Sequence, residues 1–303
     1  MTILLTGASG FLGTQIKNVL STSHEVLSLG RSVSSDVLCD LSAEVPLLHH
    51  VDAVVHAAGK AHTYPKTEKE RQEFFEVNVT GTENLLKALE EKHVKKMIFI
   101  SSVSVYGMEQ GELIAEDTLL NGKSPYALSK IQSEKLIEVW CKQRKVAYLI
   151  LRLPLIVGPN PLGNLKKMIE AISRGRYVRI AKGNAKKSMI LAEDIAALIK
   201  SWIEKDNGVS GIYNLTDGYH ATFYELEEEL KRVLGKKTIP TIPGFLAKII
   251  GRVGDAFSAF PVNTGTIRKI TCTFTFSDHK ARKELDWHPT PALEKVEKYY
   301  HTN

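Results

Sequence analysis

Tyr126 and Lys130 stand four positions apart in "YALSK", and Ser101, Ser102 and Ser104 precede them in "SSVSV". On a helix, positions i and i+4 share a face, so the phenol and the ammonium lie side by side. A neighbouring cation favours phenolate and lowers a tyrosine's pKa from about 10 toward neutrality. Tyr126 then becomes a general acid or base for a substrate oxygen. Alone, such a pair would be ordinary surface neighbours and Pro125 a first-turn helix proline. The serines change that reading: they end the apolar run "KKMIFI", at the sheet edge where doubly wound folds bind ligands.

A second constellation opens the chain. "LLTGASGFLG" sets Gly7, Gly10 and Gly13 between a first strand and a first helix. The N–H groups of this turn, including those of Phe11 and Leu12, point outward with the positive helix end, which suits a dinucleotide pyrophosphate. After the second strand, "EVLSLGRS" has Gly30 where a carboxylate would hold an adenosine ribose, and Arg31 follows. An arginine there can pair with a 2′-phosphate, so NADP is expected slightly ahead of NAD. Asp40 can accept from the adenine amino group with Leu41 against the ring, or it can be a turn aspartate.

These residues need a scaffold, and the sequence outlines one. "TILLT", "EVLSL", "DAVVHAA", "KKMIFIS" and "AYLILRL" are short apolar runs alternating with amphipathic stretches such as "FLGTQIKNVL", "EVNVTGTENLLKALEE" and "SPYALSKIQSEKLIEVWCKQ". That rhythm predicts an α/β fold with a doubly wound parallel sheet, a Rossmann domain over 1–157, to which 188–215 returns. The segments 158–187 and 216–303 are expected to form a smaller, mostly helical substrate domain.

Composition sets the limits. The 303 residues are 43% apolar and 24% charged, as in an ordinary globular protein. The net charge of +6 is spread without the dense basic block of a nucleic-acid arm, so small anionic ligands are expected and nucleic acid is not. Cys39, Cys141 and Cys272 are widely separated and odd in number, which points to a reducing, cytoplasmic setting. No signal peptide or membrane-spanning run is visible; "YLILRLPLIVG" is broken by Arg152 and Pro154.

Near the C-terminus, "GFLAKIIGRVGDAFSAF" places Phe245, Leu246, Ile249, Ile250, Val253, Phe257 and Phe260 on one side of a helix, with Lys248, Arg252 and Asp255 opposite. Such a stripe can lie on a membrane surface. The expectation here is that it packs against its own domain, without stable membrane insertion, since two glycines weaken it as a free helix.

The ordered set "TGASGFLG", "CDLS", "VVHAAG", "NVTGTENLL", "FISSVSVYG", "YALSK", "LRLPLIVGPN", "GIYNLTDG" and "ARKELDWHPT" resembles the extended short-chain dehydrogenase/reductases, specifically the nucleotide-sugar epimerase and dehydratase group, over nearly the whole chain. The resemblance implies that Ser102, Tyr126 and Lys130 are catalytic, with Lys130 also holding the nicotinamide ribose. It implies that Ala57, Ala58 and Gly59 line the cofactor, that Asn78 stands behind the nicotinamide pocket and that Pro154 borders it. His56 is expected to be a packed residue at the core's edge. Ser102, Ser104 and Tyr126, with Asn164 and Lys60, are the implied contacts of a nucleotide-diphosphate sugar. A homodimer is implied too, through the helix holding Tyr126 and the helix after Asn78.

Departures from the family's pattern separate its reactions. Dehydratases need an Asp-Glu pair after the catalytic hydroxyl, and Val103 and Ser104 stand there, which disfavours dehydration. A 4-epimerase and a 4-keto reductase stay open. Leu155 in place of the epimerases' asparagine, Gly30, and the "NAKKS" segment suit a reductase. That segment resembles the "N-x-R-S" of bacterial 4-reductases of UDP-N-acetyl-hexosamines, with Lys187 for the arginine. The alternative of another class is a redox sensor or scaffold that binds the dinucleotide without chemistry.

Overall fold

Short buried runs give a parallel sheet, and the segments between them wind back as helices. The computed structural model describes residues 1–61, 63–206, 208–256 and 264–301, leaving out the side chains of Lys248, Ile250, Val253, Gly254, Ala256 and Thr266; Phe257 and Phe260 lie outside the described residues. The first half runs β1 (Thr2–Thr6), α1 (Phe11–Leu20), β2 (Glu25–Gly30), β3 (Val37–Leu38), β4 (Ala53–His56), α2 (Glu68–Phe75), α3 (Gly81–Ala88) and β5 (Lys96–Ser102). Then come β6 (Gly111–Ile114), α4 (Pro125–Arg144), β7 (Ala147–Leu153), β8 (Leu155–Val157), α5 (Gly163–Ser173), β9 (Arg179–Ile180), β10 (Met189–Leu191), α6 (Ala192–Glu204) and β11 (Gly211–Asn214). The chain closes with α7 (Phe223–Val233), β12 (Thr241–Ile242), α8 (Gly244–Ala256), α9 (Thr264–Thr271), β13 (Phe274–Phe276), α10 (His279–Leu285) and α11 (Val296–Tyr300).

Seven strands form the main sheet in the order β3-β2-β1-β4-β5-β7-β11, each neighbour parallel. The order reverses between β1 and β4, and the crevice outside their C-terminal ends is where such sheets take ligands. Both faces are covered. On one, α1 and α6 bury Ile16, Leu20, Ile195, Ile199 and Trp202 against Ile3, Leu5 and Val55. On the other, Leu85, Leu89, Ile137 and Trp140 cover Leu4, Val54, Met97 and Ile150. Each such side chain taken out of water contributes about 1.5–3 kcal/mol, which explains why these strands are apolar on both sides.

One charged residue ties the layers together. Lys96 is buried at the start of β5, and its ammonium donates to the carbonyls of Trp202 (2.9 Å), Ile203 (2.8 Å) and Lys205. Those oxygens end α6 without helical partners, so the cation completes the helix and its own hydration is replaced.

The rest of the chain builds around three two-stranded pairings, β8 with β10, β9 with β12 and β6 with β13. Its core joins Leu165, Met168 and Ile172 of α5 to Leu226 and Leu230 of α7 and to Val296 and Tyr300 of α11.

Of the C-terminal stripe, the described side chains Phe245, Leu246 and Ile249 do not pack as the pattern suggests. α8 turns Ala247 and Gly251 inward, where a Cβ on Gly251 would lie 2.7 Å from Ile267 Cδ1. This close crossing admits only small residues, so Phe245, Leu246 and Ile249 are left 65%, 41% and 55% exposed. The expected burial is corrected on this point.

Candidate active site

The first turn after β1 is shaped by two steric demands. Gly7 has φ +72, and a Cβ there would meet the Ala58 nitrogen at 2.7 Å; a Cβ on Gly13 would meet the Gly7 oxygen at 1.9 Å. Only glycine allows strand, helix and the Ala57–Ala58 loop to approach so closely. Gly10 is the N-cap of α1 and offers no side-chain cap, and the first turn holds no acid. The N–H groups of Phe11, Leu12 and Gly13 thus open an uncapped helix end beside an exposed glycine, a donor set that fits a pyrophosphate.

The neighbouring loop is held by a chain of bonds with a single polarity. Thr82 Oγ1 donates to the Asn78 carbonyl (2.6 Å), so it must accept from His56 Nε2 (3.0 Å). His56 Nδ1 is then an acceptor for Thr6 Oγ1 (2.7 Å), which itself accepts from the Ala58 N–H (3.1 Å). Burial pushes the His56 imidazole down to about 3, with the Lys130 charge acting in the same direction. It is a neutral structural residue at neutral pH.

Asn78 sits in a π-helical turn over Glu76–Thr80 that joins α2 to α3. Its Oδ1 accepts from the Lys60 N–H (2.7 Å), and its Nδ2 donates to the Lys60 carbonyl (3.2 Å) and to Ser129 Oγ (2.8 Å). It thereby locks the Gly59–Lys60 loop to α4. The Lys60 ammonium is paired with Glu73 and lies over the Phe74 ring at 5.4 Å.

α4 begins at Ser124, whose hydroxyl accepts from the Ala127 N–H (3.1 Å), with Pro125 in its first turn. This cap sets the register that puts Tyr126 and Lys130 on the face toward β5. The Tyr126 hydroxyl faces the Ser102 hydroxyl, which itself accepts from the Ser104 N–H at 3.2 Å. The Lys130 ammonium donates to the Ile100 carbonyl (2.8 Å) and lies 4.5 Å from the Phe99 ring centroid. A Cβ on Gly59 would come within 3.3 Å of that ammonium, which brings the loop after β4 to the same point.

The electrostatics differ from the expectation at one position. Enclosure raises the Tyr126 hydroxyl above its ordinary pKa, and only the nearby Ser102 hydroxyl pulls the other way. Lys130 does not lower it in this state; burial instead pushes the ammonium down to about 8, against the favourable charge of Glu134. Tyr126 is accordingly a neutral phenol at rest.

Beneath these groups lies a floor of buried polar residues that leaves only faint signals in the sequence. Glu134 receives the Ser101 hydroxyl and pairs with Arg152 (2.8 Å), both partners almost wholly buried. Arg152 also donates to Tyr106 Oη (3.1 Å), which donates to Asn214 Oδ1 (2.7 Å). The signals were Glu134 one turn beyond Lys130 and an arginine interrupting "YLILRL". Ser101 and Ser102, adjacent on β5, point to opposite faces. One serves the floor and the other the site.

The remaining expected residues fall around this centre. Ser104, in the short 3₁₀ turn Val103–Tyr106, has its Oγ buried without a hydrogen-bond partner. Pro154 joins β7 to β8, and Asn164 is exposed in the first turn of α5. Asp40 accepts from the Ser42 N–H (3.0 Å) and hydroxyl (2.7 Å) as a turn residue, and Arg31 stands 4.0 Å from it. Leu41 is buried among core residues, its carbonyl receiving Asn84 Nδ2 at 2.9 Å. Lys187 donates to the Cys272 carbonyl (2.7 Å) beside Phe223 and Phe274.

Known proteins share this fold. Residues 3–216 match the sequence model described as the NAD dependent epimerase/dehydratase family. A UDP-glucose 4-epimerase of Vibrio cholerae is 27% identical over 96% of this chain and 92% of its own. An Escherichia coli O157:H7 protein named N-acetyl-alpha-D-glucosaminyl-diphospho-ditrans,octacis-undecaprenol 4-epimerase is 27% identical over 92% and 88%. The structure of a Bacillus cereus UDP-glucuronic acid 4-epimerase, solved with UDP-glucuronic acid and NAD, superposes with a TM-score of 0.77 at 21% identity, covering 99% of this chain and 98% of that one. Nothing in these likenesses supports the lean to NADP drawn from Arg31. With the family match spanning most of the chain, from β1 through β11, the protein belongs to the NAD dependent epimerase/dehydratase family.

Proposed function

We propose that the protein is an NAD-dependent enzyme that inverts C4 of a sugar carried on a diphosphate. The observation that carries this reading is the enclosed Tyr126 hydroxyl facing Ser102, beside the Lys130 ammonium that is anchored to Ile100 near the end of β5. A bound nicotinamide supplies the hydride acceptor and donor. Tyr126, after releasing its own proton to solvent, takes as phenolate the proton of the C4 hydroxyl while the C4 hydrogen leaves with its electron pair, and returns that proton when hydride comes back to the ketone. Ser102 Oγ holds the same oxygen in line, and Lys130 supplies positive charge and a donor to the ribose. The uncapped end of α1 is the pyrophosphate site. The buried, unpartnered Ser104 Oγ is our choice for a sugar hydroxyl contact, and Asn164 for the diphosphate, with segments 158–187 and 216–303 forming the substrate lobe. Lys60 acts through its loop, its ammonium being held by Glu73.

Relatives carry the sugar on UDP or on a polyprenol diphosphate by their names. The shared diphosphate is the feature we carry over. A second reading, 4-keto reduction, is favoured by the resting state of Tyr126: a phenol kept protonated by burial is ready to donate to a ketone. Supplying NAD with UDP-glucose and UDP-N-acetylglucosamine, and NADH or NADPH with a 4-keto sugar nucleotide, distinguishes the two by product NMR. Dinucleotide binding with no product from any of these would leave the sensor reading instead.

The three cysteines are free, which suits a reducing cytoplasm. We further infer a homodimer formed on α3 and α4, supported by the groove between them lined by Val79, Leu86, Leu136, Val139 and Trp140. Light scattering at micromolar concentration tests it, and a monomer would overturn it.

A further inference from the structure

α8 is attached by its small residues and presents its large ones outward. Ala247 is buried and Gly251 meets Thr264 and Ile267 of α9, while Phe245, Leu246 and Ile249 form a contiguous apolar face. Scattered exposed hydrophobes need no explanation; three adjacent ones on a single helix face mark a surface that something covers.

The charge around that face identifies what covers it. Between Leu234 and Cys272 the chain carries Lys236, Lys237, Lys248, Arg252, Arg268 and Lys269 against Asp255 alone, a net of +5 out of the whole chain's +6. Arg252 is exposed and follows Phe245 by seven positions and Ile249 by three, so on the helix it borders their face and does not stand opposite it, a correction to the sequence expectation. Lys182 is exposed beside Ala181, whose N–H bonds Ile242 just before α8. The single carboxylate, Asp255, accepts from the backbone and hydroxyl of Thr264 at the start of α9. Of these cations Arg268 pairs with Glu109 and Lys236 stands with Glu225, Glu228 and Glu229 around another groove, while the exposed Lys182, Arg252 and Lys269 have no ion pair among the described residues.

We propose that α8 docks on the surface of an anionic phospholipid bilayer, with Phe245, Leu246 and Ile249 at the level of the acyl boundary and the surrounding lysines and arginines among the phosphates. An apolar face with a basic border and an anionic interface are complementary in both respects. A second copy of the chain is not, since it would set two cationic segments against each other. Attachment is peripheral: among the described residues no helix is long and apolar enough to cross a membrane. The contact has a bearing on the site, because Arg268 of α9 pairs with Glu109 (3.8 Å) and the Gly111 N–H donates to the Thr273 carbonyl (3.0 Å). The docked face thus holds the loop after Ser104 and Tyr106 near the headgroups.

The test is co-sedimentation of the full chain with vesicles of phosphatidylglycerol and phosphatidylcholine, beside vesicles of phosphatidylcholine alone. Binding to the anionic vesicles is expected, weakening with added salt, and it should fall roughly tenfold or more in Phe245→Ser/Ile249→Ser and in Lys182→Gln/Arg252→Gln/Lys269→Gln. Circular dichroism checks that the variants fold, and Tyr126→Phe should bind vesicles as the parent does, so failure of the chemical reading leaves this result standing. No binding to anionic vesicles, or equal binding by the parent and the apolar double variant, overturns the proposal. A parent oligomer dissociated by Phe245→Ser/Ile249→Ser, with no vesicle binding, would mean that a second copy covers the face.

Discussion

α4 and α8 both break the usual arrangement of a surface helix, in opposite senses. α4 buries Ser129, Lys130, Ser133 and Glu134, while α8 exposes Phe245, Leu246 and Ile249. A buried polar residue or a cluster of exposed apolar ones carries more information than any number of residues in their expected places. In α4 every buried polar group has a partner: Ser129 and Ser133 engage Asn78, Lys130 engages Ile100, and Glu134 engages Ser101 and Arg152. The inversion of α4 is resolved within the chain, whereas Phe245, Leu246 and Ile249 of α8 stay open to solvent among the described residues.

Substitutions can break this comparison. The largest effect should come from Tyr126→Phe, which removes the proton carrier and leaves the packing. Turnover should fall about 10²- to 10⁴-fold while NAD affinity, read by fluorescence titration, holds. Unchanged turnover would take Tyr126 out of the chemistry.

Glu134→Ala strips Arg152 of its buried carboxylate and should lower stability by roughly 3–5 kcal/mol in urea unfolding. A loss below about 1 kcal/mol would show that the floor of the site does not depend on that pair.

Lys130 gives a smaller effect that depends on pH. Its pKa is about 8 when folded and 10.5 when free, so between those values the unfolded chain binds the extra proton. The contribution of this residue to stability is lowest below about pH 8 and rises as pH climbs toward 10.5. Unfolding curves of the parent and Lys130→Met at several pH values should diverge in that window in the parent's favour; parallel curves would contradict the burial of a charged Lys130.

The smallest effect belongs to α8. Phe245→Ser with Ile249→Ser should change stability by no more than about 0.5 kcal/mol per site, since neither side chain has a core to leave. A cost of about 3 kcal/mol would mean that the helix buries that face after all.

The sequence revealed much of this molecule because its signals are local. The strands of the main sheet, except the two-residue β3, coincide with apolar runs, and the Ser124–Pro125 start of α4 is a capping signal that fixes where Tyr126 points. The floor was harder to see, because Glu134 and Arg152 meet across distant segments and neither has an unusual neighbour in sequence. The pKa of Tyr126 was misjudged for a related reason: adjacency to Lys130 was visible, but the enclosure that outweighs it depends on the folded surroundings. For α8 the periodicity was legible while its direction was not. That depended on Gly251, whose missing side chain draws the wrong edge of the helix toward Ile267.

The bonds from Ala58 through Thr6, His56 and Thr82 to Asn78 have one further consequence, for how the enzyme senses acid. Histidine is the side chain that ordinarily gives a protein a rate inflection between pH 6 and 7. Here both ring nitrogens are already engaged and the imidazole stays neutral down to about 3. Activity should therefore pass smoothly through 6.5 and bend instead near 8, where Lys130 titrates. A rate profile with its inflection near 6.5, moved by replacing His56, would show that the ring is free to exchange its proton.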